Sequence, residues 1–153
     1  MLRVGCLAFG SAMRLLGLDI GEARVGVAVS DPAGTIASPL VVLDARQLSR
    51  DIRPLRTLVD DYEVGGLVVG LPLSMNGSEG RQSASVRAAG DRLGRELALP
   101  VTYADERLSS ATASRAMGSG GVKAKQQRGR LDMVAAAIIL QAYLDGQRST
   151  EDQ

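Results

Sequence analysis

Near the start of the chain, apolar residues come in two short bursts. Leu15-Leu16-Gly17-Leu18-Asp19-Ile20-Gly21 is followed within four residues by Val25-Gly26-Val27-Ala28-Val29. Two β-prone runs joined by a polar, glycine-containing link predict a hairpin. Residues 35–43 contain Leu40-Val41-Val42-Leu43, which predicts a third strand. Leu48, Ile52, Leu55, Val59 and Tyr62 then recur at helical spacing and predict a helix over 47–62. Pro54 either kinks that helix or marks the first turn of a shorter one. Gly66-Leu67-Val68-Val69-Gly70 is wholly apolar, as in buried parallel strands.

A loop over 72–80 follows, then a helix with Val86, Leu93 and Leu97 on one face, and a strand at Pro100-Val101-Thr102-Tyr103-Ala104. Residues 109–117 predict a short helix, and residues 118–130 a flexible basic loop. Residues 131–144 form an Ala/Ile/Leu-rich helix. This order predicts an α/β domain whose five-stranded mixed sheet is antiparallel at first, parallel later, and flanked by helices. The 153 residues suit one domain. Residues 1–13 read as an N-terminal extension, because Met13-Arg14-Leu15-Leu16 makes a natural start. The domain spans 14–146 and a polar tail 147–153.

Asp19 breaks an apolar strand. Alternation groups it with Leu15 and Gly17 on one face, and a carboxylate there is paired, metal-bound or at a strand end reaching solvent. Asp105-Glu106 ends the last strand, outside the carboxyl ends of parallel strands, where open α/β sheets bind ligands. Alternation sends these two side chains to opposite faces, and Glu106 is the one favoured for the site. A plainer reading makes both exposed strand-end charges, one of them capping the next helix. Asp132 falls in the first turn of the predicted last helix, where the helix dipole alone would account for it. Taken together, Asp19, Glu106 and Asp132 could converge on a divalent pair, as in two-metal phosphoryl chemistry.

Composition narrows the chemistry. The chain has no histidine, which excludes Ser-His-Asp triads, Cys-His pairs and His-ligated zinc. A carboxylate-only donor set suits Mg²⁺ or Mn²⁺. The single Cys6 forms no internal disulfide, consistent with a reducing cytoplasm. No apolar run approaches a membrane span. Four aromatic residues, Phe9, Tyr62, Tyr103 and Tyr143, are too few for a stacking platform.

Charge is uneven although the net is +1: residues 81–130 carry ten Lys and Arg against four Asp and Glu. This basic middle between acidic ends fits a phosphate-tracking surface, with a solvated basic face as the alternative. Lys123, Lys125, Arg128 and Arg130 are its candidate phosphate contacts. In the loop after Gly70, Asn76-Gly77 signals a turn. Ser78 is a candidate N-cap for a helix whose amides could face a phosphate, with a purely structural turn equally open.

Four motifs in order, Leu16-Gly17-Leu18-Asp19-Ile20-Gly21, Val69-Gly70-Leu71-Pro72-Leu73, Asp105-Glu106-Arg107-Leu108-Ser109 and Asp132 followed by Ala135-Ala136, resemble the YqgF/RuvX family of bacterial RNase H-like nucleases. The resemblance spans Met13 to Leu144. It implies an RNase H-like fold and metal-dependent cleavage of a nucleic-acid backbone, serving 5′ processing of pre-16S rRNA in ribosome biogenesis. An older reading of the family makes the substrate branched DNA, as for Holliday junction resolvases. Carried over, Asp19, Glu106 and Asp132 become the catalytic and metal-binding acids. Gly70, Pro72, Asn76, Gly77 and Ser78 become a supporting loop, in which Ser74 and Asn76 depart from the usual Asn and Asp. Arg107 joins the candidate nucleic-acid contacts.

The partners implied are pre-rRNA or branched DNA and ribosomal particles, for a cytoplasmic monomer or homodimer. Two other classes stand beside this one. Sugar kinases and Hsp70-like ATPases share the opening hairpin but need two such domains to enclose ATP. A non-catalytic RNA-binding ribosome-assembly factor would use the acids structurally.

Overall fold

The structure is a computed structural model that describes residues 13–108 and 124–151. The predicted helix over 109–117 and Lys123 lie outside the described residues, as do residues 1–12 and the Lys125 side chain. Five strands form one sheet: β1 (Arg14–Ile20), β2 (Arg24–Ser30), β3 (Ala37–Asp44), β4 (Val64–Leu71) and β5 (Val101–Asp105). Their order across the sheet is β3-β2-β1-β4-β5. The first three are antiparallel neighbours, while β4 runs parallel to both β1 and β5. This is the predicted mixed sheet, and its order brings the ends of β1, β4 and β5 to one carboxyl edge.

Two layers of helix cover the sheet. On one face lie α1 (Ala45–Arg50), α2 (Arg53–Asp61) and α3 (Arg81–Leu97). There Leu48, Leu55, Val86, Leu93 and Leu97 pack on Leu16, Leu18, Val27, Leu67 and Val69. The other face carries α4 (Ala124–Glu151), whose Ala135, Ala136, Ile139 and Leu140 pack on Ala28 and Val68. Each strand therefore divides its apolar residues between two cores, as a sheet buried on both faces requires.

The α4 layer lies very close to the sheet because glycines face it. A Cβ on Gly17 would stand 2.7 Å from Leu140 Cβ and 2.9 Å from the Ala136 carbonyl. A Cβ on Gly26 would collide with the Asp132 carbonyl. Small residues on both sides let two backbones approach, so α4 is locked in register against β1 and β2.

Several predicted boundaries move. The helix over 47–62 is two helices, broken at Asp51. Pro54 lies in the first turn of the second, where its missing N–H costs nothing. Asp44 caps α1 by accepting from the Gln47 amide at 2.9 Å. The last helix starts at Ala124, so Lys125, Arg128 and Arg130 belong to a helix and not to a flexible loop. It continues to Glu151, through most of the polar tail.

Candidate active site at the carboxyl edge of the sheet

Alternation fixes which face each acid takes. Gly17 faces α4, and Asp19, two residues on, faces the same way with 4% of its surface exposed. Asp19 pairs directly with Gly26 of β2, whose face is covered by the α4 backbone at Asp132. The residue predicted as a strand acid and the residue predicted as a helix acid are thus brought to one strand pair, across a glycine.

Asp132 is in the third turn of α4, not the first. The helix dipole, which acts within the first turn, does not account for a carboxylate there. A specific partner does. Arg24 Nε donates to Asp132 Oδ2 at 2.6 Å, with side chains 34% and 15% exposed. Arg24 opens β2 on the same face as Gly26 and Ala28, which explains its reach. Arg24 did not stand out in the sequence, where it reads as a polar residue of the hairpin link. The period-2 pattern 24, 26, 28 was the available signal.

Asp105 ends β5 and Glu106 follows it outside the strand. Ala104 packs against the α4 core and Tyr103 against the other. Glu106 begins a short 3₁₀ turn (Glu106–Leu108) and is 4% exposed. Asp105 is taken by Arg107, which donates from Nη2 to Oδ2 at 2.7 Å and from Nε to Oδ1 at 3.0 Å. That guanidinium holds the Asp105 carboxyl below its ordinary range. Arg107 Nη1 also donates to the carbonyls of Ser74 and Met75, at 3.1 and 3.0 Å. In this structure the arginine offered as a nucleic-acid contact ties the end of β5 to the loop after β4.

That loop is a small closed turn. Gly77 donates to Ser74 O and Ser74 to Ser78 O, below a bridge between Leu73 and Glu79. Gly77 has φ +85°, a left-handed conformation that glycine adopts without strain. Asn76 Oδ1 accepts from the Ser78 amide at 3.0 Å and its hydroxyl at 2.7 Å, an Asx turn that asparagine makes as well as aspartate. Ser78 is therefore not a helix cap. Gly80 holds the cap position of α3, with no side-chain cap bond. Gly70 faces Ile139 of α4, and the Pro72 carbonyl accepts from the buried Ser83 hydroxyl. Arg128 and Arg130 are exposed on α4, four and two residues before Asp132.

Asp19 and Glu106 sit at the ends of β1 and β5, with β4 between them, and Asp132 hangs over β2 from α4. Among the described residues, no three His, Cys, Asp or Glu side chains are gathered into a ready metal site. The donor set itself suits a hard divalent cation, being wholly carboxylate. Such an ion would compete with Arg24 for Asp132. A separate groove of about 650 Å³ lies on the other face, floored by Val25, Leu48 and Val86 and rimmed by Arg81 and Arg92. None of the three acids lines it.

The family profile for RuvX, described as Holliday junction resolvase, matches residues 13–146. A protein of Roseiflexus sp. (strain RS-1) is 46% identical over 135 residues, 88% of this chain and 96% of its own. One from Anaeromyxobacter sp. (strain Fw109-5) is 43% identical over 137 residues, 90% and 100% of the two chains. Both carry the provisional name pre-16S rRNA nuclease. Among solved structures, Thermus thermophilus RuvC in complex with a Holliday junction substrate superposes with a TM-score of 0.55. It is 14% identical, and the match covers 90% of this chain and 97% of that one. At that identity it supports the fold alone, which is RNase H-like. No described helix is long and apolar enough to cross a membrane. With a profile match over residues 13–146 and relatives above 40% identity over 96% and 100% of their length, this chain belongs to the RuvX family.

Proposed function

We propose that this protein is a cytoplasmic metal-dependent endonuclease that hydrolyses nucleic-acid phosphodiesters and processes the 5′ end of pre-16S rRNA on ribosomal particles. The observation that carries the reading is the docking of Asp132 over Gly26, the direct pairing partner of Asp19. With no Cβ on Gly26, the α4 backbone at Asp132 rests on the strand next to Asp19. The names of relatives that share more than 40% identity support the RNA substrate.

Asp19, Glu106 and Asp132 would hold Mg²⁺ or Mn²⁺. When bound, the metal would supply an activated water and charge stabilisation at the leaving oxygen. The protein's own part is to hold the strand in place. Exposed Arg128 and Arg130 lead the helix toward Asp132 and would bind backbone phosphates without reading sequence, together with Lys123 and Lys125. Arg24 keeps Asp132 oriented until the site is loaded. Arg107 fixes the loop of Gly70, Pro72, Asn76, Gly77 and Ser78 beside the acids, leaving Glu106 and not Asp105 to face them.

A second reading is branched-DNA resolution, favoured by the fold shared with RuvC and by the family's description. The test offers purified protein with Mn²⁺ a pre-16S leader RNA and a four-way DNA junction in parallel. Cleavage of the RNA at a defined 5′ site, with the junction left intact, is expected. Cleavage of the junction alone establishes the second reading, and cleavage of neither overturns both.

A further inference from the structure

The loop after β4 holds one feature that the proposed chemistry does not use. Met75, at its tip, is 98% exposed. Its surroundings are fixed on all sides. Arg107 binds the carbonyls of Ser74 and Met75, and Asn76 closes the turn through Ser78. Glu79 is bound by Arg87 at 2.7 Å, Pro72 by Ser83. Arg87 is itself stacked on the Tyr103 ring, 4.7 Å from its centre. A large apolar side chain is thereby held in water by a closed turn, where a loose loop could have folded it away.

Position gives it an occupant. The loop leaves the carboxyl end of β4, between the ends of β1 and β5 that carry Asp19 and Glu106. The other large exposed apolar side chain among the described residues, Ile36, precedes β3 at the opposite edge of the sheet. Met75 is therefore a single point and not part of an apolar patch, whereas stable protein interfaces need a broad, contiguous one. A lone apolar side chain is enough to wedge against a nucleic-acid base, and methionine is among the residues that do so. Two of the described tyrosines have other partners. Tyr103 bonds to Arg87 O and Asp91, and Tyr62 stacks with Arg14.

The geometry points to Met75 as a substrate-contacting wedge that packs against an unstacked base beside the scissile phosphate. Resting on the nuclease reading above, it adds a specificity for strands whose bases can open at that point. Preorganisation of the turn by Arg107 and Asn76 lowers the ordering cost of this contact.

The test places 2-aminopurine, which brightens when unstacked, at each base flanking the phosphate that the wild-type protein cleaves, in whichever substrate it cuts. Wild-type protein is expected to raise the fluorescence at one position. Met75→Ala should lose at least half of that rise and raise KM about tenfold, with kcat changed less than twofold and the melting temperature unchanged. Met75→Leu should restore both. A Met75→Ala protein that cleaves with wild-type KM and wild-type fluorescence overturns the wedge and leaves the nuclease reading intact. If wild-type protein neither binds nor cuts either substrate, the nuclease reading falls, and the wedge with it.

Discussion

Arg24 and Asp132, 108 residues apart, meet at 2.6 Å, joining the first residue of β2 to the third turn of α4. The pair lies beside Gly26, where helix and sheet backbones touch. It therefore fixes the helix that supplies one candidate ligand and occupies that ligand at the same time.

This dual role predicts a trade. Arg24→Gln removes the competitor for Asp132 and leaves a half-buried carboxylate without its charge partner. The metal-free protein should melt lower, while the Mn²⁺ concentration giving half-maximal stabilisation should fall severalfold. Thermal melts across a Mn²⁺ titration check both halves.

Gly26 should tolerate nothing larger. In Gly26→Ala the new methyl meets helix backbone, which cannot move aside as a side-chain tip can. A loss of about 3 kcal/mol or more is expected, at the upper end for overpacking. Gly146 in the same helix has open space around its Cβ position. Gly146→Ala should stabilise by about 0.5–1 kcal/mol through helix propensity. Urea unfolding of the two variants separates close packing from propensity.

The link between β2 and β3 predicts an acid-sensitive term. Asp31 accepts from the Thr35 amide at 2.7 Å, the Thr35 hydroxyl at 2.9 Å and the Ile36 amide at 3.1 Å. The Ile36 and Thr35 amide bonds hold its carboxyl below the ordinary value of 3.8. Because the folded value is the lower one, the contribution is complete above the unfolded value and disappears as pH falls through the folded one. Asp31→Ala should therefore be less stable than wild type at pH 6, with the gap closing at a pH well below the ordinary 3.8. Urea midpoints at the two pH values check this.

Exposed Arg128 and Arg130 should behave as phosphate contacts. Each alanine variant should weaken binding to all sequences alike and reduce the slope of log affinity against log salt by about one. Filter binding at several salt concentrations measures it.

Much of this was legible in the chain. The hairpin, the buried run of β4 and the apolar face of α3 follow from periods of 2 and 3.6, and Val86, Leu93 and Leu97 are buried as that spacing requires. Alternation also accounts for the face that Asp19 shares with Gly17 on β1. What stayed hidden depends on contacts between distant residues. Arg24 is an ordinary hairpin polar residue until α4 arrives beside it. Ser78 has the chemistry of a cap, but Asn76 claims it for a turn and α3 begins at Arg81. The start of α4 was obscured because Gly129 and a run of Lys and Arg look like a loop, although the helix runs through them.

The proposed function requires Asp19 to be a catalytic carboxylate and not a buried strand-end charge. Asp19→Asn preserves shape and removes the charge. The single-turnover rate of this variant on the cleaved substrate in Mn²⁺, set beside that of wild type, decides the matter. A fall of about a hundredfold or more with an unchanged melting curve is predicted, and a rate equal to wild type would contradict the claim.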